Sequence, residues 1–325
     1  MAGIGAFISP GKSLERAITR VRLADELGFD SVYTTHIAGR DSLTVLAAYA
    51  VTTNRIRLGT GVLPIFSRTP VSTAQTSATI DELSGGRMVI GLGVSHQVTV
   101  ENWFDSKIVK PVTQMREYVG IVRAILRGEE PPGGAHFNTK FQFMGYEARG
   151  DLPIYIGALS PNMLQLAGEV CDGAMLWLCN PNYIRDVVVP EVAKGREKAG
   201  KTMDDFDIVA AVPSGVAEDR EKAFGAMRQE LLAYFSLPFY RAMIERSGYE
   251  ADIKAFDEAM GSGDVDAAKA AISDEFLENL TAIGSEEQVR AGIERYRDAG
   301  ATSPCAGGIP GADFEATLAA VAELL

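Results

Sequence analysis

Residues 56–64 read IRLGTGVLP. The run opens as a buried strand, breaks at Gly59-Thr60-Gly61 and turns apolar again at Val62-Leu63-Pro64. Glycine inside a strand pattern marks a bulge, or a place where something flat approaches the backbone. What approaches depends on which fold this strand end belongs to.

The neighbouring sequence supplies the fold. Strand-like apolar runs occupy 3–9, 31–36, 56–63, 88–94, 152–158, 172–178, 207–216 and 302–309. Helical patterns lie between them. Ser13 is placed to cap a helix that carries Leu14, Ile18, Val21 and Leu27 and stops at Gly28. Pro70 and Pro161 open helices that reach Leu83 and Val170, and Pro111 opens one that stops at Gly128. A last helix spans 313–325. Eight strand–helix alternations predict a (β/α)8 TIM barrel, one domain over residues 1–325, with a doubly wound open sheet as the alternative. Two stretches, 97–110 and 129–151, read as loops, and residues 219–285 read as a helical insertion near the seventh unit.

Bulk composition excludes several functions. The chain has 325 residues, 46% hydrophobic and 23% charged, with a formal net charge of −12. Without a basic run, such a chain is expected to bind neither nucleic acid nor an anionic membrane. No apolar run approaches the roughly 20 residues of a membrane span. Cys171, Cys179 and Cys305 have no paired spacing and no signal peptide precedes them, so they read as reduced, buried small hydrophobes of a cytoplasmic protein.

In a barrel the chemistry sits where the strands end. The second strand ends at Thr35-His36, the fourth at Gly93-Val94-Ser95-His96, and the fifth at Gly157-Ala158-Leu159-Ser160 before Pro161. Gly157–Ser160 leading into a helix offers free N–H groups and a positive helix end, a seat for phosphate; the plainer reading is a turn capped by Ser160. GLGVSH lacks the third glycine of a dinucleotide fingerprint. His36 and His96 are candidates to give or take a proton, or else satisfied polar residues, and His136 lies in a polar loop expected at the surface. No histidine pair has metal-ligand spacing, so no metal is expected. Phe7, Trp103 and Trp177 could wall a pocket or simply pack.

Three stretches carry a resemblance: TNRIRLGTGVLP, RTPVSTAQTSATIDELSGGRMVIGLGVS and LPIYIGALSPNMLQLAGEVCDGAMLW. Together they resemble the bacterial luciferase-like family of flavin and deazaflavin oxidoreductases. The similarity is closest to the coenzyme F420-dependent branch that includes methylenetetrahydromethanopterin reductase. The resemblance implies a barrel with a deazaflavin across its mouth and hydride transfer to or from a small organic substrate, in a homodimer. It implies a non-prolyl cis bond at Gly61–Val62 backing the ring. It also implies cofactor contacts from Thr60, Gly61, Val62, from Gly93, Val94, Ser95, and from Gly157, Ala158, Leu159, Ser160, with catalysis by His36 or His96. The relatives carry an acidic residue before the histidine and often after the Gly-x-Gly; here these positions are Thr35 and His96, so the relatives' substrate does not carry over. An FMN-dependent monooxygenase and a non-catalytic flavin-binding barrel are the alternatives. A barrel isomerase or aldolase would need a strand-end lysine or carboxylate pair, which this rim lacks.

Overall fold

The computed structural model describes residues 3–325. Ten strands form one sheet: β1 (Gly5–Phe7), β2 (Ser31–Thr34), β3 (Arg57–Thr60), β4 (Leu63–Pro64), β5 (Met88–Gly93), β6 (Ile154–Gly157), β7 (Gly173–Trp177), β8 (Asp207–Val216), β9 (Ala282–Gly284) and β10 (Ser303–Gly308). Neighbours pair in parallel from β1 through β8, and β10 joins both β8 and β1, closing a TIM barrel. The eight staves fall inside or one residue beyond the eight predicted runs, with β3 and β4 sharing the third stave.

Closure depends on large side chains facing small ones. Tyr33, Val89, Tyr155, Met175, Val209 and Cys305 form one buried layer within the barrel. A Cβ on Gly59 would meet Tyr33 Cδ1 at 2.5 Å, and one on Gly173 would meet Tyr155 Cδ1 at 2.9 Å. The two tyrosine rings therefore occupy the space their neighbours' missing side chains leave, which is how an interior fills at close-packed density.

The helices begin and end where the sequence signals place them. Ser13 Oγ accepts the Arg16 N–H (3.1 Å) at the start of the helix Leu14–Leu27, which ends at Gly28 with φ 103°. Only a left-handed residue closes that turn, and glycine adopts it without cost. Pro70–Ser84, Pro111–Leu126, Pro161–Val170 and Phe314–Ala322 follow the predicted helices. The three cysteines are free and buried.

Three readings change. The loop expected at 97–110 begins with a helix, Gln97–Phe104, before Asp105 turns left-handed at φ 45°. Residues 219–285 contain five helices, as their breaks imply, but end in a strand: β9 pairs with the overlong carboxyl end of β8, Ser214 opposite Ala282. Three residues between two helical stretches carry too little pattern to announce a strand. His136, expected at the surface, is half-buried. Its N–H and those of Ala135 and Phe137 bind the Glu117 carboxylate at 2.8–3.1 Å, pinning the irregular stretch 129–151 to the helix Pro111–Leu126.

Candidate active site

At the mouth, the third stave carries the break seen in its sequence. Gly59 lies opposite Val89 and Leu63 opposite Leu92, so three residues on one side, 60–62, face two on the other, 90–91. That count defines a β-bulge. The Gly61–Val62 peptide bond within it is cis. Thr60, fully buried, holds the bulge from behind: its Oγ1 donates to the Gly91 carbonyl (2.7 Å) and accepts the Gly91 N–H (3.0 Å). The side chain thus replaces the ladder bonds the bulge removes.

Gly91 has no room for a side chain. An added Cβ would strike the Thr60 carbonyl oxygen and meet Met175 Sδ at 2.5 Å. Backbone cannot swing aside as a side-chain end can, so Gly91→Ala is expected to destabilise the fold by about 2 kcal/mol, read as a lowered denaturant midpoint.

Above the bulge, Val62 leans across the mouth. Its Cγ2 blocks the Cβ position of Gly93 and would lie 3.5 Å from one on Gly157, while a Cβ on Gly61 would strike the Phe7 ring. Val62 flanked by Gly61, Gly93 and Gly157 makes a flat apolar shelf, a surface suited to a planar ring. Beside it, Ser160 stands at the N-cap of the helix Pro161–Val170 yet makes no side-chain cap bond. Ser13, Thr69, Ser273 and Asp313, in the same position on other helices, all do. Ser160 is thus the cap residue of this helix but gives it no side-chain cap bond, and an uncapped helix start of this kind can receive an anion. Ala158 is buried, with its N–H on Met175 O (3.2 Å), and Leu159 O accepts the Tyr183 hydroxyl (2.7 Å). These bonds fix the loop that carries Ser160.

The two histidines flank the mouth in different ways. The His36 side chain is 14% exposed and 3.9 Å from Asp41 Oδ2. Its Nδ1 accepts the Ser42 N–H at 3.3 Å, with Ser42 Oγ at 3.0 Å. A backbone N–H can only donate, so Nδ1 bears the lone pair and the neutral ring carries its proton on Nε2. Burial pushes the His36 pKa below 6.5; Arg68 adds to the shift and Asp41 opposes it. Asp41 is spoken for, accepting from Arg68 (2.6 Å) and from Thr44 N–H and Oγ1 (both 2.8 Å). His96 follows Ser95, which is left-handed at φ 59°, and its ring lies 6.0 Å from Tyr240 of the insertion. Burial lowers its pKa too.

A cavity of about 530 Å³ opens between the barrel mouth and the insertion. Phe7 and Trp177 line it, their rings 6.3 Å apart, whereas Trp103 lies outside it and is 52% exposed. Phe7 touches both this cavity and the shelf. Sequence reasoning missed Ser9, Thr35 as a lining group, and Met227, Glu230, Leu231 and Tyr234 from the helix Arg220–Phe235. Ser9 stands past the end of β1 and was within reach of the strand-end rule. The helix residues were not, because nothing local says which face of an insertion meets the barrel. Among the described residues no group of three or more His, Cys, Asp or Glu could hold a metal, and no helix is long and apolar enough to cross a membrane.

The mouth of the closed parallel barrel thus carries a bulged apolar shelf and an uncapped helix start. Residues 1–303 match the family described as luciferase-like monooxygenase, and the chain belongs to it. A 5,10-methylenetetrahydromethanopterin reductase of Archaeoglobus fulgidus is 34% identical over 300 residues, 90% of this chain and 89% of that one. The structure of the coenzyme F420-dependent tetrahydromethanopterin reductase of Methanopyrus kandleri superposes with a TM-score of 0.84 at 26% identity, covering 99% and 97% of the two chains. An F420-dependent secondary alcohol dehydrogenase, at 20% identity and a TM-score of 0.81, shares the fold over 100% of this chain and 98% of its own. The chain is thus an enzyme whose relatives are F420-dependent oxidoreductases.

Proposed function

We propose that the protein transfers a hydride between coenzyme F420 and a small organic substrate, working as a single luciferase-like unit. The observation that carries the reading is the shelf of Gly61, Val62, Gly93 and Gly157 set beside the uncapped helix start at Ser160. A planar ring with an anionic side chain needs both an apolar platform and an anion seat. Gly61 and Val62 would back the ring, Gly93, Val94 and Ser95 would border it, and Gly157 to Ser160 with the following helix would hold phosphate.

When bound, the deazaflavin supplies or accepts the hydride. The chain supplies placement, exclusion of water and one proton-bearing group. His36 holds its proton on Nε2 and offers it as a hydrogen bond to the substrate's oxygen. His96, packed against Tyr240, keeps the insertion in place at the edge of the mouth.

Titrating the apo-protein with F420 and, separately, FMN tests the reading. The expected result is F420 binding in roughly the micromolar range with FMN much weaker, and substrate turnover without oxygen uptake. Preference for FMN, or oxygen consumed with substrate, would move the protein to the monooxygenase alternative.

A further inference from the structure

The cavity has an unusual polar layout. Its roof is one face of the helix Arg220–Phe235: Met227, Glu230, Leu231 and Tyr234, spaced as a helix spaces one stripe. Met227 and Leu231 are buried there, and Glu230, between them in the sequence and on the same stripe, stands exposed at the cavity's rim. Partial desolvation at the rim raises the Glu230 pKa. Among the described residues, no cation or hydrogen-bond donor meets it.

The cavity does contain a cation, but Arg20 is committed elsewhere. Its Nε and Nη2 donate to both oxygens of Glu315 (2.9 and 3.1 Å), and its guanidinium lies 5.0 Å over the Phe314 ring. The Arg20 hydrogen bond holds the Glu315 carboxyl down at about 2, so this pair is charged and mutually satisfied near neutral pH. The net unpaired charge facing the cavity is therefore negative.

The floor offers the opposite polarity. Ser9 and Thr35 hydroxyls lie 2.9 Å apart, and Ser9 Oγ also accepts the Thr35 N–H at 3.0 Å. Whichever hydroxyl donates to the other, one hydroxyl proton of the pair is left over for the cavity. Between floor and roof the walls are apolar: Phe7, Ile8, Trp177, Leu178 and Ile309.

We propose that this cavity selects a substrate with an apolar body, a hydrogen-bond acceptor at the Ser9–Thr35 end and a cationic group at the Glu230 end, and that Glu230 is the specificity-determining residue excluding anionic substrates. The proposal deepens the function proposed above and rests on it for the word substrate. It does not rest on it for the binding preference, which the chain's own residues set.

Trp177 lines the cavity and is one of two tryptophans, so its fluorescence reports occupancy with or without F420. The probes are three redox-inert compounds on one skeleton: 4-phenylbutylammonium, 4-phenylbutyramide and 4-phenylbutyrate. The full chain is expected to bind the ammonium about tenfold tighter than the carboxylate, with the amide between, as a partly screened charge at a rim dictates. Glu230→Gln should shrink the spread to less than about twofold with no loss of folding, since the side chain is exposed to solvent at the rim. Trp177→Phe should abolish the signal. A carboxylate that binds tightest, a ranking unmoved by Glu230→Gln, or no binding of any probe would overturn the proposal. If the ranking holds but F420 does not bind, the function proposed above fails while the selectivity of the cavity stands.

Discussion

Replacing Asp207 with alanine is expected to lower the stability of the fold by about 3–5 kcal/mol. Asp207 begins β8 at the end of the barrel opposite the mouth, and its side chain is 2% exposed. It accepts hydrogen bonds from Tyr155 Oη (2.9 Å), Thr302 Oγ1 (2.6 Å) and Ser303 Oγ (2.7 Å), and Arg57 Nη1 lies 3.9 Å away. One carboxylate therefore joins four elements, β3, β6, β8 and the start of β10. Alanine would take an acceptor away from the buried Tyr155 and Ser303 hydroxyls and the half-buried Thr302 hydroxyl, and a negative charge away from the Arg57 guanidinium. Desolvated groups left unpaired cost more than the bonds they lose. Asp207→Asn keeps the volume and one acceptor oxygen, so it should cost less than alanine. Chemical denaturation separates the three proteins by midpoint, and equal midpoints for wild type and alanine would refute the account. Because the change lies far from the mouth, the folded fraction of either variant should bind F420 as the wild type does.

Such a polar floor was not legible in the sequence. Asp207 reads there as the polar start of a strand, and nothing local joins it to Tyr155 or Ser303. The staves themselves were legible, because each is a short apolar run bounded by caps and glycines that act within a few residues. The short strand β9 was not: its residues pair only because β8 runs on past the barrel, a long-range cause. The helix Gln97–Phe104 was missed for a related reason, since QVTVENWF lacks a capping side chain at its start and is too short for its periodicity to stand out.

The site divides along the same line. The bulge at Gly59-Thr60-Gly61 announces itself, because glycine in a strand has few other uses. The end of β6 announces itself too, although the sequence alone left Ser160 open between cap and phosphate seat; its missing cap bond is a geometric fact. The roof of the cavity could not be read at all. Glu230 looks like one more solvated charge on a helix rich in them, and gains a place at the cavity only because the helix docks with that stripe over the mouth. The shelf and helix start proposed for the cofactor are written in local backbone chemistry, while the cavity proposed for the substrate depends on how an insertion docks.

His36→Ala is expected to reduce kcat/KM about a hundredfold, the usual loss when a positioned donor to a reacting oxygen is removed. The argument starts from Ser42. With the Ser42 N–H occupying Nδ1, the neutral ring presents Nε2–H in a fixed direction, as a donor rather than a base. Protonating Nδ1 would break that bond and turn the ring toward Asp41, 3.9 Å away. The neutral form is then the working one, and kcat/KM should fall as pH drops below 6.5 toward the lowered pKa of His36. The sign for stability is the same. The unfolded chain takes up the proton first, so folding stability contributed by the neutral ring is full above 6.5 and is lost as pH falls through the window below it. His96, lowered by burial as well, adds to that stability loss. Only the rate profile distinguishes them, for His36→Ala should flatten its acid limb and His96→Ala should keep it. An acid limb that survives in His36→Ala would move the proton-bearing role to another group. A rate loss below threefold, with F420 affinity unchanged, would reduce His36 to a cap for the helix Ser42–Ala50.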